Sequence, residues 1–211
     1  MTLEQQLSAD ALHQFQSMDT PQKIQAFLDS IPYSPDDLNR TPLEVLHDRT
    51  AHCLDGALFA AAALRRIGHP ALVVDLLPEP GLDDDHVLAI YRVDGLMGAI
   101  AKSNFAGLRF REAIHRNVRE LALSYFEDFY NVNGVKTLRA YTAPIDLSRF
   151  DALGWEHERE GVNAIEKRIY AARRYPLLDA AAARSLSPMD ARSYNAGMLG
   201  ANADGLYKPR A

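Results

Sequence analysis

The strongest hydrophobic pattern in the chain lies between Cys53 and Ile67. A helix that is apolar on all sides is buried in the protein interior. Thr50 is a candidate cap for its first turn, and Gly68 and Pro70 end it. The pattern therefore predicts a buried helix from residue 53 to about residue 67. Its apolar positions recur at helical spacing and cover most of its surface: Leu54, Ala57, Leu58, Phe59, Ala60, Ala61, Ala63 and Leu64.

Three shorter helices are predicted before this one. Apolar residues from Leu3 to Phe15 recur at helical spacing. A second helix starts at Thr20-Pro21 and ends before Pro32, because proline is favoured in the first turn of a helix and disfavoured in its interior. Thr41-Pro42-Leu43-Glu44 has the spacing of a capping box, which predicts a short helix over about residues 42–48.

After Gly68 the pattern changes to that of β-strands. Residues 71–77 form a short apolar run rich in branched side chains, and residues 87–93 form another. Asp94-Gly95 is a strong signal for a two-residue hairpin turn, so a third strand over residues 96–102 should return antiparallel. We expect this sheet to pack on the face of the 53–67 helix that carries glycine and alanine.

The second half of the chain carries fewer signals. We predict a helix over about residues 112–130, a strand over residues 137–142 and a helix over about residues 158–174, followed by a loose or docked tail. The fold class is therefore α+β, with N-terminal helices and a central buried helix carrying Cys53 packed on an antiparallel sheet. We divide the chain into a core with its N-terminal helices, residues 1–150, and a helical C-terminal extension packed on it, residues 151–211.

Composition narrows the classes of partner. The chain has 211 residues, a net charge of -5 and one cysteine. An acidic chain without a clustered basic face is a poor candidate for binding nucleic acid or an anionic membrane. The N-terminus has no basic and apolar segments of a signal peptide, and a single cysteine fits a reducing compartment. We therefore expect a cytoplasmic protein. The sequence does not indicate an oligomeric state.

Cys53 is the first candidate for chemistry because it lies at the start of the buried helix. Free N–H groups and the positive end of the helix dipole stabilise a thiolate there, and a nearby histidine cation would add to this. The sequence thus predicts a lowered pKa for the thiol. The alternative is that Cys53 is a small buried hydrophobic residue, which is the common role of a free cysteine.

A histidine follows at a suitable place. His86 stands at the head of the 87–93 strand, so the order is a cysteine on a helix, a strand, and a histidine opening the next strand. In thiol acyl transfer the sulfur attacks a carbonyl carbon, while histidine first takes the thiol proton and then protonates the leaving group.

These residues resemble the transglutaminase-like superfamily, whose catalytic core is papain-like. The resemblance covers roughly residues 40–105 and rests on His52-Cys53-Leu54-Asp55-Gly56-Ala57 opening an apolar helix, on Asp85-His86-Val87 opening a strand, and on the hairpin that follows. It implies that Cys53 is the nucleophile and His86 the general base. The family usually has an aspartate on the next strand, but Ile100-Ala101-Lys102-Ser103-Asn104 contains no acid.

The third site residue is therefore open. A two-residue turn at Asp94-Gly95 places Ser103 opposite His86, and a shift of one residue would place Lys102 or Asn104 there. We choose Asn104, because an amide can orient an imidazole, and keep Ser103 as the other candidate. We interpret the run Asp83-Asp84-Asp85 as a solvated loop and Asp75 as an edge or outward strand residue.

The expected function is a transglutaminase-like thiol hydrolase or acyltransferase that acts on an amide or isopeptide bond through Cys53 and His86. The alternative is a catalytically degenerate transglutaminase-like binding or scaffold module, which the absent acid favours. We expect a peptide or other amide-containing substrate and no cofactor. A metal site built from His52, Cys53, His86 and a loop aspartate is disfavoured, because the spacing matches no zinc pattern.

Overall fold

A computed structural model describes residues 3–209 and shows an α+β fold. The predicted fold class is therefore confirmed. The α-helices are α1 (Ala9–Ser17), α2 (Pro21–Ser30), α3 (Pro42–Asp48), α4 (Cys53–Arg66), α5 (Val118–Leu123), α6 (Arg159–Tyr170), α7 (Ala180–Arg184) and α8 (Ala191–Gly197). The strands are β1 (Leu72–Pro78), β2 (His86–Val93), β3 (Leu96–Ile100), β4 (Arg111–His115), β5 (Leu138–Thr142), β6 (Ile145–Asp146) and β7 (Arg174–Pro176).

Within the described residues the strands form one sheet in the order β4-β3-β2-β1-β5-β7, with β6 also paired to β1. Neighbouring strands are antiparallel. The hairpin register follows the sequence signal, because Val93 pairs with Leu96 across the Asp94-Gly95 turn. Pairing of β2 with β3 continues only as far as Ala89 and Ile100, so no strand partner lies opposite His86 on that side.

Helices cover both faces of the sheet. On one face Val73, Val87 and Ala89 pack in the same hydrophobic cluster as the apolar residues of α4. On the other face the even-numbered residues of β1 and β2, such as Leu76 and Leu88, pack with α5 and the aromatic residues after it. Side chains alternate across a strand, so two apolar clusters on one sheet explain why β1 and β2 are apolar at nearly every position.

The central helix α4 follows the sequence prediction except at its cap. Every residue from Cys53 to Leu64 is buried, and Gly68 adopts a positive φ of 94° just after the helix. Thr50 is not the cap. His52 fills that position by accepting a hydrogen bond from the Leu54 N–H, while the Asp55 carboxylate accepts one from the His52 N–H. The imidazole and the carboxylate therefore make a capping box at the start of α4.

The prediction of one helix over about residues 112–130 was wrong. The chain forms β4, then the short helix α5, and then a single 3-10 turn at Phe126–Asp128. Its apolar residues still point to one side, and Leu121, Tyr125 and Phe129 cover the second face of the sheet. Beyond this region α6 ends at Tyr170, and β7 occupies the end of the segment predicted as helix.

The C-terminal residues run along the folded core. The Met189 N–H donates to the Gly134 carbonyl, and the Tyr194 hydroxyl donates to the Val132 carbonyl at 2.9 Å. Farther along, Asn202 contacts Asn104 across 98 positions of sequence. The division of the chain at residue 150 remains a prediction. No helix in residues 3–209 has the length and apolar character needed to cross a membrane.

Candidate functional site

Cys53 is the first residue of α4 and lines a cavity of about 430 Å³. The residue is only 8% exposed. Its Sγ lies 3.9 Å from the Asp85 carbonyl oxygen, at the entrance to β2. The thiol is therefore placed at the start of a helix and against the backbone of the strand that carries His86, as the sequence predicted.

The cavity around the thiol is acidic. Three tyrosines, Tyr33, Tyr170 and Tyr207, also line it, and His52 lies beside Cys53 at its rim. The guanidinium of Arg40 binds one of the lining carboxylates, that of Asp36, at 2.8 Å. The carboxylate-bearing lining residues are Asp36, Asp37, Asp84, Asp85, Glu166 and Asp204.

These surroundings change the expected state of the thiol. Burial raises the pKa of Cys53 well above its ordinary value, and the charges of Asp85 and Asp84 raise it further. The Val87 N–H acts in the opposite direction. The prediction of a lowered thiol pKa was therefore wrong for this structure, because desolvation and nearby carboxylates outweigh the favourable end of the helix. The thiol is neutral at physiological pH.

Tyr33 lines the same cavity as Cys53. Burial, followed by the charge of Cys53, raises the pKa of the Tyr33 hydroxyl. A backbone N–H at a helix start is the type of donor that stabilises a tetrahedral oxyanion. The Cys53 N–H, in the first turn of α4, is a group of this type.

His86 is 4% exposed and lies on the α5 side of the sheet. Its ring makes edge contacts with Tyr125 and Phe129, at centroid distances of 6.4 and 6.5 Å. Nε2 is 2.7 Å from the Leu108 carbonyl oxygen. Because a carbonyl can only accept, Nε2 carries the proton and the basic lone pair is on Nδ1. Burial lowers the pKa of His86 to about 4, so the ring is neutral at physiological pH.

Cys53 and His86 do not form a hydrogen-bonded pair in this structure. The polar contact of the thiol is the Asp85 carbonyl, and that of the imidazole is the Leu108 carbonyl. His86 lines a second, smaller cavity of about 50 Å³. The two cavities adjoin, because both are lined by Tyr33, Asp84, Asp85, Gly205 and Tyr207. The catalytic roles assigned to the two residues remain predictions.

None of the candidate third residues contacts the imidazole through a hydrogen bond in the described structure. Both functional groups of the Asn104 amide bind the backbone of Asn202, at 2.7 and 2.8 Å. The Ser103 hydroxyl accepts from the Phe105 N–H. The Lys102 ammonium donates to the Leu28 carbonyl at 2.7 Å. Ser103 and Asn104 line the small cavity together with His86 but make no hydrogen bond to its ring.

The hydrogen-bond partner of the imidazole is the Leu108 backbone carbonyl and not a side chain. It follows the irregular segment after β3 and belongs to a short 3-10 turn at Ala106–Leu108. A backbone carbonyl can hold an imidazole tautomer as a carboxylate or amide does. Sequence reasoning missed this contact because a backbone acceptor leaves no residue type to recognise.

The acidic residues near the site are more buried than the sequence suggested. Asp75 is 1% exposed on β1, which lies between β2 and β5, so its interpretation as an edge or outward residue was wrong. Its two carboxylate oxygens are buried without a hydrogen-bond partner. Asp83 accepts from the Thr137 hydroxyl, and burial raises the pKa of Asp83 to about 6 and that of Asp85 to about 7. The run 83–85 lies in the loop before β2, where Asp84 is exposed and Asp83 and Asp85 are partly buried.

The unpartnered Asp75 carboxyl makes stability depend on pH. Burial, followed by the charge of Asp85, raises the pKa of Asp75 well above its ordinary value. The folded protein therefore keeps a proton that the unfolded chain has lost, and this contribution to stability falls as pH rises above the unfolded value. We expect Asp75→Asn to raise the free energy of unfolding at pH 8 by about 2 kcal/mol, with a smaller gain near pH 4.

Urea titrations at both pH values would measure this difference. Asp94→Asn is the matched control, because it removes one carboxylate from the exposed turn between β2 and β3 and should change stability little at either pH. A variant Asp75→Asn that is equally stable or less stable than the wild type at pH 8 would contradict the interpretation of Asp75 as an uncompensated buried acid.

In the described part of the chain no three side chains of the His, Cys, Asp and Glu types are grouped so that they could hold a metal ion.

Similarity to known proteins is found among solved structures. No protein-family description matches the sequence, and no curated protein matches it. Among solved structures the fold is similar to Legionella pneumophila LapG treated with EGTA, with a TM-score of 0.38 and 15% identity over 54% of this chain and 75% of that chain. A second Legionella pneumophila LapG structure has a TM-score of 0.36 and 15% identity over 49% and 71%.

Proposed function

We propose that the protein is a thiol hydrolase or acyltransferase of the transglutaminase-like type, acting on an amide bond of a peptide. The observation that carries the proposal is the Nε2 contact of His86 with the Leu108 carbonyl at 2.7 Å. It holds the imidazole in the tautomer whose basic nitrogen is Nδ1, and it supplies the third partner that the sequence lacked.

In the proposed reaction both groups start neutral. The Cys53 thiol gives its proton to His86 Nδ1 as Sγ bonds to the carbonyl carbon of the substrate amide. The carbon–nitrogen bond then breaks, and the amine leaves with the proton from His86. Water or another amine next attacks the thioester, again with His86 as base, and frees the thiol. The Cys53 N–H in the first turn of α4 is a donor available to the tetrahedral oxyanion.

This reaction requires access between the two cavities. Cys53 lines one cavity and His86 the other, with Tyr33 and Tyr207 at their common border. A substrate segment that displaces Tyr33 from this border would join the two cavities. The proposal therefore places the substrate where Tyr33 and the C-terminal segment now lie.

The test is acylation of Cys53 by an activated aryl ester of a blocked amino acid at pH 7.5, followed by intact mass. We expect His86→Ala to acylate about a hundredfold more slowly than the wild type, which is the usual contribution of a general base. Cys53→Ala should not acylate at this position.

The matched control for this test is His13→Ala, since His13 is exposed on α1 and lines neither cavity. It should acylate at the wild-type rate. Equal rates for His86→Ala and the wild type would show that the imidazole does not act on the sulfur.

A catalytically degenerate binding module is the second candidate function. It is favoured by the raised pKa of Cys53 and the lowered pKa of His86, which leave a protonated thiol and an uncharged ring without a hydrogen bond between them. This candidate predicts that Cys53 does not acylate in any variant, although peptides still bind to the acidic cavity.

A further inference from the structure

The C-terminal segment of the described chain crosses both cavities of the site. We define residues 202–207 as the strap. Gly205 and Tyr207 line the cavity of Cys53 and also that of His86, whereas Leu206 lines only the first. Gly205 passes so close to Tyr33 that a Cβ at this position would lie 2.9 Å from the Tyr33 ring. The strap therefore lies directly over the approach to the thiol.

The strap is fixed by contacts to its backbone. The Asn104 side-chain amide donates to the Asn202 carbonyl at 2.8 Å and accepts from the Asn202 N–H at 2.7 Å. Such a pair of hydrogen bonds can form with the backbone of any residue that has an N–H group, because neither bond involves the side chain of the bound residue. The Asn202 side chain in turn donates to the Tyr33 carbonyl at 3.1 Å.

The strap is held weakly compared with the core. None of its residues is buried, and its anchors are hydrogen bonds of partly exposed groups. A segment with little buried apolar surface opens locally at a small fraction of the global unfolding free energy. The strap can thus leave the site while the sheet and α4 remain folded.

We propose that Asn104 is a docking amide for polypeptide backbone and that the strap is its internal occupant, which covers Cys53 until a substrate segment replaces it. The role of the substrate segment rests on the function proposed above, whereas the covering of Cys53 does not. Asn104 is on this account a positioning residue, which receives an extended peptide and does not orient His86.

Iodoacetamide labelling of Cys53 at pH 9, followed by intact mass, measures the cover directly. We expect Asn104→Ala to label about tenfold faster than the wild type, since two hydrogen bonds to the strap are lost. Gly205→Val should label faster as well, because its side chain collides with Tyr33 although Asn104 is intact. Asn163→Ala, an exposed amide on α6, is the control and should label at the wild-type rate.

A synthetic peptide of residues 199–209 separates docking from simple exposure. Added in excess, it should slow the labelling of Gly205→Val, in which Asn104 can still bind a backbone. It should not protect Asn104→Ala. Protection of both variants, or of neither, would overturn the docking role of Asn104.

Two further results decide the covering role. Wild-type labelling rates in both Asn104→Ala and Gly205→Val would overturn it, as would faster labelling that follows a loss of global stability in thermal unfolding. Repeating the series in the His86→Ala background keeps the two proposals distinct. Even if His86 has no role in the reactivity of Cys53, each strap variant should still label faster than its parent protein by the same factor.

Discussion

Replacing Gly56 with alanine should lower the free energy of unfolding by about 3 kcal/mol, the upper part of the range for overpacking a core. A Cβ on Gly56 would lie 2.2 Å from the Cβ of Lys102 and 3.4 Å from its Cα. At a helix position with free space around it, replacing glycine by alanine stabilises the helix by about 1 kcal/mol. A loss of stability at Gly56 would therefore indicate the clash with Lys102. Urea unfolding followed by circular dichroism at pH 7 measures it.

Neither partner in this contact can move easily. Gly56 lies in a helix that is buried on all sides. Lys102 is held by its ammonium, which donates to the Leu28 and Ile31 carbonyls at the end of α2. The control is the double variant Gly56→Ala/Lys102→Gly, which removes the opposing Cβ. Its stability loss should be clearly smaller than the sum of the two single losses, and strict additivity would contradict a direct clash.

The close approach at Gly56 shows what the sequence can predict well. The small residues along α4 indicated that a sheet packs closely on this helix, and α4 indeed shares a hydrophobic cluster with Val73, Val87 and Ala89. The hairpin register between β2 and β3 was also predictable, because the Asp94-Gly95 turn fixes it locally. The hairpin register depends on residues that are near each other in sequence, and the close packing on α4 depends on small residues that recur at the helical period.

The prediction failed where β3 leaves the sheet. Counting the register outward placed Ser103 opposite His86, but pairing stops at Ile100. The next residue, Ala101, instead pairs with the side chain of Gln25, which accepts from its N–H at 3.1 Å and donates to its carbonyl at 3.0 Å. A buried glutamine 76 positions away thus takes the place of a strand partner. No local pattern around Ala101 reveals this.

The interpretation of Asp75 failed for a related reason. A charge within an apolar strand usually points to solvent, so Asp75 was interpreted as outward. It lies on the same side of β1 as Val73, which packs on α4, and the strands on both sides of β1 leave no edge. Whether a strand position faces water depends on its neighbours in the sheet, and these come from distant parts of the sequence.

Asp55, in the first turn of α4, is the residue for which we expect the second large change in stability. Asp55 is fully buried, with an exposure of 0%. Its carboxylate accepts from the backbone N–H groups of Arg40 at 2.7 Å and of His52 at 3.2 Å. It also lies 3.6 Å from the Arg40 guanidinium. One side chain therefore joins the cap of α4 to the loop before α3, and this loop and cap form a wall of the Cys53 cavity.

Asp55→Ala should lower the free energy of unfolding by about 4 kcal/mol, because it leaves two buried N–H groups and part of a buried charge without a partner. Asp55→Asn should lose less, since one oxygen remains as an acceptor. Burial raises the pKa of Asp55 to about 7, although the two N–H groups and Arg40 act to lower it. The folded protein thus retains a proton through the range where the unfolded side chain has lost it, so this contribution to stability declines as pH rises from about 4 towards 7.

Thermal and urea unfolding of both variants at pH 5 and pH 8 would measure these effects. Asp48→Ala is the matched control, because Asp48 also binds the Arg40 guanidinium, at 3.3 Å, but its side chain is 36% exposed. A partly exposed ion pair contributes about 1 kcal/mol or less, so this variant should stay close to the wild type. If Asp48→Ala and Asp55→Ala were equally stable, the Asp55 carboxylate would contribute no more to stability than an exposed ion-pair partner of Arg40, and the prediction would be wrong. A large loss confined to Asp55→Ala would instead show that the capping box holds the Cys53 end of the helix in place.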